Sequence, residues 1–444
     1  MMKENSGFKN FYKQAKELIS DKFRKPYSEE YGDTHTPSYV AYMITALFGV
    51  LLFVLYYLFA LKTLNSPDIT DLSCHVKFAS DFYLKWSNFY EAWLRMPYCL
   101  WHFCVKFFQC RMGFPWFEAA SFVYAWFGIF SYIVSALFIY KLVKFYTKKE
   151  HLLFSTLASF VLSTVGPYSM NWFSDSYYGQ FSPNPFHNPT HMAVKPFGIL
   201  LVMLGIDIVR KLKKEELIFF KGKRMFLWFG IILFLSTVTK PTFMFMLLPT
   251  GFLYLAGQAI YNAVKKQGSF KEALLVFAKF VLASIPSLLY LGLEMFAFYS
   301  GEGHRDADGI VLSGFLEIWH MFSYDVPTSV LLAMFFPIWM VVTNPGYFFR
   351  STEGLMSLLC YVVGTLEFSF IAESGPQADS ANFAWCMMAG MVVLYGVSMA
   401  KLVIETIKKN ESKAHGIYIM LSWFFLFMHV YSGLCLTTPF GLIF

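Results

Sequence analysis

Charge is scarce in this chain. Asp, Glu, Lys and Arg supply 15% of its 444 residues, where soluble proteins carry about 25%. The length alone would suit two or three soluble domains. Repeated apolar runs overrule that, because about 20 residues is what a helix needs to cross a bilayer core. The short alternating strands of a membrane β-barrel are missing. Cysteine is sparse as well: the seven residues include no paired CxxC and so no metal-site spacing. Four of them (Cys74, Cys99, Cys104, Cys110) fall in one predicted outer segment, where a disulfide stays an open alternative. There is no internal repeat and no low-complexity linker. The first 38 residues are polar and the first apolar run is long enough to span, which predicts no cleavable signal peptide.

What the chain has in abundance is apolar and aromatic surface. It is 57% hydrophobic and 20% aromatic, with 52 Phe, 27 Tyr and a mean hydropathy of +0.48. The net charge of +7 could suit nucleic acid, but its distribution argues against that partner. The basic residues cluster at alternate helix ends, 26 of the 36 Lys and Arg falling in the segments assigned to the cytoplasm. That is the positive-inside pattern.

These features predict an all-α polytopic membrane protein with about eleven transmembrane helices and a cytoplasmic N-terminus. Residues 1–38 form a cytoplasmic segment in which Phe8 to Phe23 reads as an interfacial amphipathic helix; a solvated basic tail is the competing reading. Residues 39–444 form one transmembrane domain. Its spans lie near 39–63, 116–143, 152–170, 194–212, 225–239, 242–263, 273–299, 328–343, 353–371, 382–404 and 416–436. Outer loops cover 64–115, 171–193, 300–327 and 372–381, and stretches 75–91 and 98–112 read as two helices lying on the membrane surface. Lys240-Pro241 is the weakest joint. Were 225–263 one broken span, every later helix would invert, and KKQGSFK and KKNESK would face outward against the charge rule.

Under this topology the unusual polar residues gather on the outer face. Such groups are costly at a membrane, so their concentration marks a candidate site. Asp68, Asp71 and His75 follow the first span in SPDITDLSCH and share one helical face at i, i+3 and i+7. A carboxylate there suits a general base or a metal ligand; Ser66 or Asp68 capping a surface helix is the plainer alternative. No acidic pair sits adjacent, which weakens the metal reading. The stretch NWFSDSYYGQFSPNPFHNPTHMAVKP brings Asp175, Gln180, Asn184, His187, Asn188 and His191. Its prolines predict an extended, rigid backbone, and Pro189 argues against a helical metal pair of His187 and His191. Binding of phosphate or sugar competes there with a structural plug held by hydrogen bonds. Lys240 snorkels or neutralises a phosphate. His304 and Arg305 in GEGHRDAD, and Glu373 in ESGPQADSAN, complete the set. His102 in PYCLWHF reads as a packed interfacial histidine.

The stretches DITDLSCHVKFASDFY and MPYCLWHFCVKFF resemble the long first outer loop of the GT-C superfamily, multi-pass glycosyltransferases that use polyprenyl-phosphate sugar donors. YYGQFSPNPFHNPTHMAVKPF, TKPTF and ESGPQADSANFAWCMM are similar to segments of a bacterial branch related to those enzymes. The layout matches along the whole chain; the motifs match loosely, without a tight acidic doublet or a soluble C-terminal domain. The resemblance implies an inverting, GT-C-like transferase in the cell membrane, with its active site on the outer face. It would move a sugar or glycan from a polyprenyl-phosphate donor to a glycan, lipid or protein acceptor in surface glycan assembly. It places the catalytic base on Asp68 or Asp71. His75, Asp175, Gln180, Asn184, His187, Asn188, His191, Lys240, His304, Arg305 and Glu373 would bind substrate. No metal ligand is assigned, and a divalent cation, Mg or Mn, is the one cofactor left open. Partners are the lipid-linked donor, the acceptor and membrane lipids. Two rivals stand beside it: a transporter or flippase of a lipid-linked or polar solute, pointed to by Pro286 and Glu294 in one helix, and a non-catalytic assembly protein of a surface-polysaccharide system.

Overall fold

The computed structural model describes residues 38–66, 70–82, 87, 89–96, 98–168, 181–265, 270–299, 309–375, 381–409 and 412–437. The predicted amphipathic helix near the N-terminus lies outside them. Each predicted span contains a helix. They are α1 (Ser38–Asn65), α5 (Trp116–Thr147), α6 (Leu152–Thr164), α7 (Pro189–Leu212), α8 (Met225–Thr239), α9 (Thr242–Lys265), α10 (Phe270–Tyr299), α12 (Val326–Thr343), α14 (Thr352–Phe370), α15 (Ala384–Ile407) and α16 (Lys413–Thr437). Among the described residues, nine are long and apolar enough to cross a membrane. The exceptions are α6 and α8, of 13 and 15 residues. At 1.5 Å per residue each falls short of a core of about 30 Å.

The shortness of α6 corrects the predicted span 152–170. The helix ends at Thr164, Val165 closes its last turn onto Leu162 O, and Gly166 to Tyr168 run on outside it. Their backbone groups find partners in other elements, as a protein interior in lipid requires. Gly166 N donates to His429 O at 2.9 Å and Tyr168 N to Leu332 O at 3.0 Å. Gly433 of α16 lies so close to Thr164 O that any side chain there would collide.

The bundle is built around α15, which is buried along its whole apolar length. Helix α14 crosses it most closely. Gly364 touches the backbone of Cys386, and Gly390 touches that of Cys360. Two Cys-x-x-x-Gly repeats thus meet antiparallel, small residues letting the backbones approach as membrane helices favour. Helix α7 is nearly as buried, whereas α1, α10 and α16 lie at the periphery.

The segment after α1 forms three short helices rather than the two predicted: α2 (Asp71–Phe82), α3 (Phe89–Arg95) and α4 (Leu100–Met112). They cap one end of the bundle, called here the loop face. Trp101, Val105 and Leu72 join a core with Tyr56, Tyr124 and Phe186. The segment after α10 adds strand β1 (Ile310–Leu312), paired antiparallel with β2 (Ile371–Glu373), Ile310 lying opposite Glu373. A short helix, α11 (Glu317–Phe322), follows β1, and another, α13 (Pro345–Arg350), joins α12 to α14 at the opposite, basic face. All seven cysteines are free.

Candidate functional site

The site is assembled by three local rules. Thr70 and Ser73 exchange side-chain-to-backbone bonds, Thr70 N to Ser73 Oγ at 2.8 Å and Ser73 N to Thr70 Oγ1 at 3.3 Å. This reciprocal cap starts α2 and puts Asp71 in its first turn, where a carboxylate suits the helix dipole. Asn188 followed by Pro189 is an N-cap followed by proline at the first helical position. Helix α7 therefore begins at Pro189, five residues before the predicted 194. The expected loop 171–193 is shorter, and Thr190 and His191 sit in a helical turn. Finally, Pro241 forces Lys240 into extended backbone, φ −170° and ψ 128°. That ends α8 and turns the Lys240 side chain into the bundle, where it keeps 6% of its exposure.

Asn188 joins these parts. Its Nδ2 donates to Asp71 Oδ2 at 2.9 Å. Its Oδ1 accepts from His191 N at 2.8 Å, from Thr190 Oγ1 at 3.0 Å and from Lys240 Nζ at 3.2 Å. One amide thus bridges an acid and a cation that enter from elements far apart in sequence. Lys240 Nζ also approaches Thr190 Oγ1 at 3.4 Å and stands 4.2 Å above the Trp385 ring and 6.0 Å from that of Tyr98. A cation over indole is stabilised by the ring quadrupole.

Trp385, at the start of α15, is the floor. The rings of His187 and His191 lie 5.8 Å and 5.4 Å from it. His187 Nε2 is 3.9 Å from Asp71 Oδ2. The two groups differ from the rest in access: Asp71 and His187 side chains keep 45% and 43% of their exposure, while Asn188, His191, Lys240 and Trp385 are buried. The acid and one imidazole are at the mouth; the cation and indole are beneath. Enclosure depresses the His187 pKa from its ordinary value, Asp71 pulls it back up, and Lys240 pushes it down. Both ring nitrogens of His191 are buried without a hydrogen-bond partner, two polar atoms that protein alone leaves unsatisfied.

Comparison with protein-family models and with curated proteins gives no match. The assignment of function rests on the geometry.

The structure brings together Asp71, His187, Asn188, His191 and Lys240, five of the residues singled out in sequence. It places others elsewhere. His75 is buried between α2 and α4, its Nδ1 3.1 Å from His102 Nε2. Asn184 ties the end of α6, donating to Leu162 O and Val165 O, both at 2.8 Å. Glu373 lies in β2 and accepts from Asn382 at 2.6 Å. Asp68, Asp175, Gln180, His304 and Arg305 lie outside the described residues. Among the described residues no three His, Cys, Asp or Glu side chains converge as metal ligands. Thr190 and Tyr98 join the site without having been anticipated. The Asn-Pro cap could have revealed Thr190; nothing local marks Tyr98.

Proposed function

We propose that the protein is a membrane glycosyltransferase that moves a sugar from a polyprenyl-phosphate donor to an acceptor hydroxyl at the loop face. The supporting observation is the bridged pair, an accessible carboxylate, Asp71, joined through Asn188 to a buried cation, Lys240. A transferase of this kind has two charges to manage. Asp71 takes the proton of the acceptor hydroxyl as its oxygen attacks the anomeric carbon. The bond from that carbon to the phosphate oxygen breaks, and the departing phosphate gains negative charge. Lys240 stands where such charge would be neutralised, preorganised by Trp385, Asn188 and Thr190. His187, exposed at the mouth, offers a polar edge to a sugar ring. The membrane setting fits a donor already anchored in lipid, and the positive-inside pattern of the sequence supports a loop face outside the cell.

Purified protein supplied with radiolabelled polyprenyl-phosphate sugars should transfer label and release polyprenyl phosphate. Failure to turn over every donor of a broad panel, by protein shown to be folded, would sink the reading.

A transporter remains the second reading because of one residue. Glu294 of α10 is 1% exposed, and neither carboxylate oxygen has a hydrogen-bond partner. A lone acid in a helix that also holds Pro286 is the kind of group that couples transport to proton movement. Substrate-dependent proton flux in liposomes, abolished by Glu294→Gln, would favour it.

A further inference from the structure

A second polar centre lies one helical turn deeper than His191. Lys195 follows it at i+4 on the same face of α7 and keeps 6% of its exposure. Its ammonium donates to Asn184 Oδ1. The Asn184 amide cannot turn away, because its Nδ2 is already bound to the two carbonyls that end α6. Among the described residues no carboxylate pairs with Lys195. An uncompensated ammonium in a membrane interior is costly; it loses its proton unless the surroundings supply negative charge or water.

Those surroundings are a small internal cavity of about 10 Å³, lined on its polar side by Lys195, Asn184, Ser131, Ser135, Ser163 and Tyr56. All six are buried. The Tyr56 hydroxyl donates to Ser163 O at 2.6 Å, and the Ser163 hydroxyl to Ser159 O at 2.9 Å. Those two are therefore satisfied without the cavity. The Ser131 hydroxyl is buried at 4% exposure and has no partner. Two remaining Lys195 protons and the hydroxyls of Ser131 and Ser135 are left to serve an occupant. A volume of this size holds about one water-sized particle, too little for sulfate or a phosphate group.

We propose that this cavity between α5, α6 and α7 binds a single monatomic anion of chloride type. Such an ion neutralises Lys195 and accepts from the serine hydroxyls. A water molecule would satisfy the hydrogen bonds and leave the charge unanswered. The roof of the cavity, Pro183 and Asn184, belongs to the same loop that carries His187 and Asn188, so an ion there also steadies the loop beneath the candidate site. The inference stands independently of sugar transfer.

The test uses the whole protein purified in gluconate, with halide then added at constant ionic strength. Crystals soaked in bromide and measured at the bromine edge should show an anomalous peak beside Lys195 Nζ. In the same protein Tm should rise saturably with chloride. The rise should vanish in Lys195→Met, and Ser131→Ala should shift the half-maximal chloride concentration upward several-fold. Water alone in the cavity, with no bromide peak there, overturns the proposal whatever the thermal data show. The wild-type crystal carries the decision even if Lys195→Met does not fold.

Discussion

Asn188 carries more of the site than any residue whose chemistry would attract attention. It caps α7, holds the Asp71 carboxylate and receives Lys240. Losing the cap alone costs about 1 kcal/mol. Asn188→Ala should therefore lower Tm modestly while removing nearly all transfer activity. Asn188→Asp, which keeps the cap oxygens and loses the Nδ2 donor, should restore Tm but not activity, because it sets two carboxylates side by side. Thermal unfolding and turnover measured on both variants separate the two roles. A second residue-scale prediction concerns His102. Burial pushes its imidazole down to about 3, from an ordinary 6.5. Above pH 6.5 neither folded nor unfolded chain protonates it. As pH falls below that, the unfolded chain takes a proton that the folded one refuses until about pH 3, so stability drains across that window. At pH 5 this group alone accounts for on the order of 2 kcal/mol. His102→Gln should flatten the decline of Tm between pH 6.5 and 4; an unchanged slope would contradict the assignment. Individual side chains were legible only where a local rule operated. Lys240 before Pro241 and the His187–His191 stretch could be picked out from sequence. The burial of His75 against His102 could not, since it depends on how α2 meets α4.

At the scale of elements, two junctions hold the bundle and make different predictions. Helices α14 and α15 meet backbone to backbone through Gly364 and Gly390. Gly364→Val should drive them apart and abolish the monodisperse folded peak in size-exclusion chromatography, whereas Gly257→Ala, with open space at its Cβ, should not. At the basic face Arg210 Nη1 pairs with Glu353 at 3.0 Å and Glu215 at 3.4 Å, and Tyr146 donates to Glu353. Arg210 is at the edge of burial and Glu353 fully buried. Arg210→Ala leaves that carboxylate uncompensated and should cost about 3–5 kcal/mol; the double variant Arg210→Met with Glu353→Leu should recover much of the lost Tm. Helix positions were readable because apolar runs of this length have few alternatives in lipid. The ends were less so. Gly166-Pro167 is a local stop signal that the span drawn to 170 passed over, and the bonds from Gly166 and Tyr168 to distant elements satisfy the backbone where α6 stops.

The whole molecule is a helical bundle with the features of a multi-pass membrane protein. Its one-sided crowding of polar groups at the loop face follows from topology: Asp71, Asn188, Lys240 and Trp385 come from four separate parts of the chain and meet only because alternate helix ends face the same way. That convergence was legible from counting spans and charges, although the contacts within it were not. Sidedness has a direct check. Cys74 and Cys110 are exposed on α2 and α4, so a membrane-impermeant maleimide should label them in intact cells. Labelling only after permeabilisation would invert the topology and place the site in the cytoplasm. The claim that most needs testing is that Asp71 and Lys240 act together on a lipid-linked sugar. The decisive experiment compares purified wild type, Asp71→Asn and Lys240→Met in single-turnover transfer from a polyprenyl-phosphate donor that the wild type uses, each variant first matched to wild type in Tm and size-exclusion profile. Both variants should lose transfer by at least about 100-fold, the usual worth of a general base or of a preorganised charge. Full transfer by folded Asp71→Asn would contradict it.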